Sequence, residues 1–176
     1  MTKRFDRDVR KDRTVKHHMQ SLCALSHLDF KQRATHAYAQ LFITVAQLEL
    51  GDDAMAEIFR RMAFNVMARN CDDHTKNFGF LLKQGQRWEL APAYDVTHAY
   101  NPRGEWTYQH LMSVNGKFED ITKEDLMVEA DRFSVRRAKD LLADVRGVLE
   151  SWTSYANEAR LGKAMTDRVS KDFRLL

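Results

Sequence analysis

Apolar residues recur at three- and four-residue steps through much of the chain, the period of a helix with one buried face. Over residues 15–29 the series is Val15, Met19, Leu22, Leu25 and Leu28, which predicts an amphipathic helix. Residues 36–50 repeat it with Tyr38, Leu41, Phe42, Val45 and Leu48, and Gly51 follows as a helix stop. Asp52 or Asp53 is placed to cap the next helix, which carries Met55, Ile58, Phe59, Met62, Phe64, Val66 and Met67 as far as Arg69. The second half of that helix is apolar on most sides and should be buried. Residues 70–77 break the pattern and read as a polar loop. Two short apolar runs, 78–82 and 87–90, flank Lys83-Gln84-Gly85-Gln86, the signature of a β-hairpin, and Pro92 closes it. Residues 97–118 are irregular, with a short strand near 111–114. Thr122 with Asp125 has capping-box spacing and opens a helix to about Arg132. Ser134 is expected to cap a longer helix with Val135, Ala138, Leu141, Leu142, Val145 and Val148 on one face, bending on toward Leu161. A short helix is expected in residues 163–176. Residues 1–14 are dense in both charge signs around one apolar anchor, Phe5, and read as an extended arm.

The expectation is a single, mainly α domain with one β-hairpin inserted near its middle. A length of 176 residues and 44% hydrophobic content suffice for one buried core. The net charge of +3 is too weak to argue for nucleic acid. Two cysteines, Cys23 and Cys71, without metal-ligand spacing suit free thiols in a reducing compartment. No apolar run approaches a membrane span, and no apolar segment follows the N-terminal Met-Thr-Lys-Arg-Phe-Asp, which argues against a signal peptide. A cytoplasmic protein without membrane contact is the expected class.

The chemistry concentrates in Asn70-Cys71-Asp72-Asp73-His74-Thr75-Lys76-Asn77 and in Ala91-Pro92-Ala93-Tyr94-Asp95. Asp72, Asn77 and Asp95 supply a carboxylate, a carboxamide and a second carboxylate. Phosphoryl transfer from Mg·ATP needs those groups: a base for the acceptor hydroxyl and two oxygen donors for Mg²⁺. The step from Asp72 to Asn77 equals that of the protein-kinase catalytic loop, H-R-D-x-x-x-x-N. A hairpin returns its ends to one place, so Asn77 and Asp95 can share a metal. His74 is read as organising the loop, and Lys76 either as neutralising a transferring phosphate or as a solvent-facing lysine. Asp73 is read as structural or solvated, and Cys71 as a small buried thiol. A zinc site from His74 and His98 is disfavoured by the oxygen-rich donor set. The basic run Arg132, Arg136, Arg137 and Lys139 reads as a solvated helix face.

Five blocks in order, RFDR (4–7), HMQSLCAL (18–25), FN..ARN-CDDHTKN (64–77), WELAPAYDVT (88–97) and LMSVNGK (111–117), resemble the HipA family of bacterial toxin serine/threonine kinases. The resemblance implies a protein-kinase-like C-lobe, a helical bundle whose hairpin carries the catalytic and metal-binding loops. It implies that Asp72 accepts or orients the acceptor proton, and that Asn77 and Asp95 hold Mg²⁺. It places Phe5 near the adenine of ATP and Asp6 at the ribose. By the same resemblance the acceptor is a serine or threonine hydroxyl on a protein such as an aminoacyl-tRNA synthetase. The implied partner is a helix-turn-helix antitoxin, with no direct contact to nucleic acid. In family terms residues 1–14 form the hinge and residues 15–176 the C-lobe. No glycine-rich phosphate loop precedes Gly51, so the N-lobe is expected to be absent or to come from a separate chain. Two rival readings remain from the residues: a non-catalytic lobe that binds a partner, and a metal-dependent phosphohydrolase, which would need more carboxylates than are placed here.

Overall fold

The computed structural model describes residues 3–11 and 13–176. In chain order the elements are strands β1 (Arg7–Arg10), β2 (Arg13–Lys16) and β3 (His18–Ser21), helix α1 (Leu22–Leu25), strand β4 (His36–Ala37), and helices α2 (Tyr38–Gln47) and α3 (Gly51–Ala68). A 3₁₀ turn (Thr75–Asn77) leads into strands β5 (Gly79–Leu82), β6 (Trp88–Leu90) and β7 (Met112–Ser113). Helices α4 (Lys123–Arg132), α5 (Ala138–Glu150), α6 (Trp152–Glu158) and α7 (Lys163–Asp172) complete the chain.

The core forms where the apolar period is strongest. Helix α3 packs on α2 and α5, and its second half is sealed by Phe59, Met62, Ala63, Val66 and Met67. Phe42 of α2 stacks on Phe133 at a centroid distance of 4.7 Å and 9° between planes. Around this helical core lie small sheets. β1 and β2 form an antiparallel hairpin, β3-β5-β6 an antiparallel three-stranded sheet, and β4 and β7 a parallel pair of two residues each. The result is a helix-rich α/β domain. No described helix is long and apolar enough to cross a membrane.

Two expectations for the N-terminal part of the chain are corrected by the structure. The helix over 15–29 does not form. Its residues are divided among β2, β3 and the single turn of α1, capped by Ser21 Oγ accepting from Ala24 N–H at 3.3 Å. The cause is non-local. Strand β5 is apolar and already bonded to β6 on one edge, and β3 satisfies its other edge, pairing His18 with Leu82 through Ser21 with Gly79. A ladder partner outweighs helical spacing over a segment this short. The arm over 1–14 is likewise a hairpin strand from Arg7 onward, while its Met1, Thr2 and Asp12 lie outside the described residues.

The helix boundaries differ as well. Glu49, at φ +54°, takes the left-handed position that ends α2, and α3 begins at Gly51. Asp52 and Asp53 sit in the first turn of α3, where negative charge suits the helix dipole, and neither caps it. Ser134 does not cap α5. It is left-handed at φ +53°, and the residue before the helix is Arg137.

The capping box at Thr122 forms as expected, and Asp125 does more than complete it. Its buried carboxylate accepts from Lys117 Nζ (2.8 Å), Asn115 Nδ2 (2.9 Å), Thr122 N–H (2.9 Å) and Thr122 Oγ1 (3.1 Å). Burial alone would raise its pKa, and these donors together hold it well below the usual carboxylate range. A group whose folded pKa is depressed stabilises the fold fully above its unfolded value of about 3.9, and less as pH falls below that. At pH 7 the urea midpoint of the wild type should therefore exceed that of Asp125→Asn, with the gap closing below about pH 4. A gap independent of pH would contradict the assignment.

Candidate active site

Helix α3 ends where the polar loop begins. Arg69 is left-handed at φ +58°, and its guanidinium lies 3.7 Å from the centre of the Tyr100 ring. The next residue, Asn70, bridges in parallel to Ala99, and Ala99 N–H donates to Arg69 C=O at 3.2 Å. The loop of 70–77 therefore runs beside the segment that follows Asp95. On the other side the β5–β6 hairpin closes with Ala91 N–H donating to Gly79 C=O at 2.9 Å. The Tyr94 hydroxyl then donates to Lys76 C=O at 2.6 Å. These ties bring Asn77 and Asp95 to one cleft of about 330 Å³, walled by Phe64 of α3 and Val145 and Val148 of α5.

The two oxygen donors are presented differently. The amide nitrogen of Asn77 donates to Asp72 C=O at 2.9 Å, which leaves Oδ1 without a partner among the described residues. Asp95 is exposed and left-handed at φ +54°, a strained conformation that aspartate tolerates better than most residues. One carboxylate and one carboxamide oxygen fit Mg²⁺, which keeps several waters and takes phosphate oxygens besides one or two protein ligands. Among the described residues no three His, Cys, Asp or Glu side chains converge as a metal-binding group. His98 turns instead to Asp172 of α7, at 3.0 Å.

Asp72 stands next to this cleft but outside its lining, with a side chain 44% exposed. His74 Nε2 lies 3.8 Å from its carboxylate, beyond hydrogen-bond reach. His74 Nδ1 is buried with no partner among the described residues, and its ring meets Phe30 edge-on at 6.3 Å. The Lys76 ammonium sits over the same Phe30 ring, 3.6 Å from its centre. Phe5 lies 5.8 Å from Tyr94, so the N-terminal segment reaches the Asp95 turn. Asp6 is engaged elsewhere. Arg4 and Arg7 both donate to its two oxygens, and Arg4 foremost holds its carboxyl below the usual range. Burial, then the charge of Asp95, pushes the Tyr94 hydroxyl up to about 12, so it remains a donor at neutral pH.

Gly79 is required by this packing. A Cβ there would meet Met19 Cε at 2.7 Å and the Tyr94 ring and hydroxyl at 3.0 and 3.1 Å. Met19 can swing aside, but the Tyr94 ring is held by its bond to Lys76. Gly79→Ala is expected to cost about 1–3 kcal/mol in urea unfolding and to displace Tyr94, read as a change in tyrosine fluorescence. A variant with unchanged stability and fluorescence would contradict this account.

The sequence did not expose the buried polar network behind the loop. The carboxylate of Asp73 is buried and accepts from the Tyr38 hydroxyl (2.8 Å), His110 Nδ1 (2.9 Å) and Leu111 N–H (2.8 Å). Asn65 donates to the Tyr38 oxygen at 2.9 Å, and Asn70 donates to Asn65 at 3.0 Å. Burial pushes the His110 pKa down, but the charge and hydrogen bond of Asp73 outweigh it and raise the pKa to about 10. Burial, then the same charge, raises the Tyr38 hydroxyl. Cys71 is buried as expected, with Sγ 3.9 Å from His110 Nε2. The doubled aspartate of the motif was the one available signal, since nothing in the spacing points to Tyr38 or His110.

A helix-rich α/β domain with an acid-and-amide cleft at the end of its central helix is the class that this geometry defines. The chain belongs to the HipA-like C-terminal domain family, whose profile matches residues 1–153. Among solved structures it is similar to a chain in the complex of HipA, HipB and operator DNA from the toxin–antitoxin system of Shewanella oneidensis MR-1. The TM-score is 0.72 at 17% identity, over 96% of this chain and 45% of that one, so the chain spans less than half of that relative's length. At this identity the likeness is one of fold. No curated protein matches the sequence.

Proposed function

We propose that this domain carries the phosphoryl-transfer residues of an ATP-dependent protein kinase of the HipA type, acting on a serine or threonine hydroxyl. The observation that supports it best is the convergence of Asn77 and Asp95 on one cleft beside Asp72. Mg·ATP, when bound, supplies the γ-phosphoryl group and the positive charge that offsets its oxygens. Asn77 Oδ1 and the Asp95 carboxylate would hold the metal. The Asp72 carboxylate, half-exposed and without a hydrogen bond among the described residues, is suited to orient the acceptor hydroxyl and take its proton. Lys76, whose ammonium sits over the Phe30 ring, would offset the charge of a transferring phosphate. Phe5 against Tyr94 offers an apolar contact for adenine contiguous with the Asp95 turn. Asp6 can approach a ribose only by giving up one of its two arginines. By analogy with the HipA–HipB complex, an antitoxin is the expected partner. A component of the translation machinery as target is what the resemblance to the HipA family implies.

Calorimetric titration of Mg·ATP into the chain, beside Asp95→Ala, tests this. Heat of binding that disappears in the variant supports the reading. Absence of binding by both proteins contradicts it and favours a partner-binding module. The exposed Val96 and Val148 on the cleft wall (each 46% exposed) speak for that second reading, as surface a partner would cover.

A further inference from the structure

Among the described residues the carboxylate of Asp72 has no hydrogen bond to fix it, yet proton transfer requires a placed base. What fixes it must act through the backbone. Asp73, the next residue, is 1% exposed and takes three donors from two distant segments. The parallel pair β4–β7 brings those segments together: His36 lies opposite Met112 and Ala37 opposite Ser113. Tyr38 follows β4 directly, and His110 and Leu111 directly precede β7. This short ladder therefore sets both jaws around Asp73, and a slip of one residue would open one of them.

The clamp reaches both ends of the loop. Asn70, at its start, is joined to Asp73 through Asn65 and Tyr38. Asn77, at its end, is tied to the Asp72 carbonyl. We infer that Tyr38 and His110 are positioning residues for phosphoryl transfer: through Asp73 they hold the backbone that presents Asp72 and Asn77. The inference rests on the phosphoryl-transfer reading of those two residues. Neither Tyr38 nor His110 touches a reacting group. Both are buried, and both act through one carboxylate.

The test uses the 176-residue chain with Tyr38→Phe, His110→Leu and His110→Asn. Asparagine keeps an N–H near the position of Nδ1, and leucine does not. Amide hydrogen exchange is followed residue by residue, with Mg·ATP affinity measured by calorimetry. In Tyr38→Phe and His110→Leu, amides of residues 70–77 should exchange about tenfold or more faster, while those of the buried half of α3 stay within about twofold. Mg·ATP affinity should fall by about tenfold, and His110→Asn should recover most of both losses. In an Asp73→Asn background, His110→Leu should add less than about twofold, because its route through Asp73 is already broken. A merely structural His110 would loosen α3 as well and would add its full effect in that background. Loop exchange and affinity both within about twofold of wild type would overturn the clamp. Absence of Mg·ATP binding by the wild type would overturn the phosphoryl-transfer reading instead, and with it the role assigned to Tyr38 and His110.

Discussion

Replacing Asp72 by asparagine is expected to lower ATP turnover by about 10²–10⁴-fold while Mg·ATP affinity stays within about threefold. Water can stand in for the acceptor hydroxyl, so basal ATP hydrolysis by the chain reads the effect without a known protein substrate. The split follows from the geometry. Asp72 lies outside the cleft that holds Asn77 and Asp95, and its side chain is not what ties Asn77, since that bond goes to the backbone carbonyl. Asparagine there keeps the shape and loses only the proton acceptor. A parallel loss of affinity would make Asp72 a metal ligand, and unchanged turnover would remove it from the chemistry.

The largest stability effect is expected one residue on. Asp73→Ala leaves the His110 imidazolium without its counter-charge and the Tyr38 hydroxyl and Leu111 N–H without an acceptor. Removing one partner of a buried ion pair typically costs about 3–5 kcal/mol, so the urea midpoint should fall accordingly. The pair also gives a pH signature. The folded pKa of His110, about 10, lies above its unfolded value of about 6.5. Such a raised group stabilises fully below the unfolded pKa and progressively less as pH rises toward the folded one. The wild type should therefore exceed His110→Leu most at pH 6 and lead by less at pH 8 and 9. A constant lead over that range would mean that the histidine is neutral in the fold.

The sequence carried the parts of this picture that local spacing can encode. Helices α2 and α3, the β5–β6 hairpin and the Thr122–Asp125 capping box all follow from periodicity or turn chemistry within a few residues. The same spacing placed Asn77 and Asp95 at the two ends of a hairpin, and the structure brings them to one cleft. Pairings between distant segments were not legible. Met19 and Leu22 have helical spacing, yet β3 is recruited by an open edge of β5 some sixty residues later. Tyr38 reads as one more apolar position of α2, and His110 falls in an irregular stretch, so their meeting at Asp73 depends on the β4–β7 ladder. Left-handed residues without glycine, at Glu49, Asp95 and Ser134, also leave no mark in the sequence. Gly51 and Ser134 misled for that reason.

On the proposed function, Asn77 and Asp95 share one metal that carries the nucleotide. Mn²⁺, a paramagnetic stand-in for Mg²⁺, tests it directly in an amide NMR titration with ATP. ATP-dependent broadening is expected to centre on Asn77 and Asp95, to reach Asp72, to spare Asp52 and Asp53 at the far end of α3, and to be lost in Asp95→Ala. Broadening centred on other acidic residues, or surviving in Asp95→Ala, would contradict it.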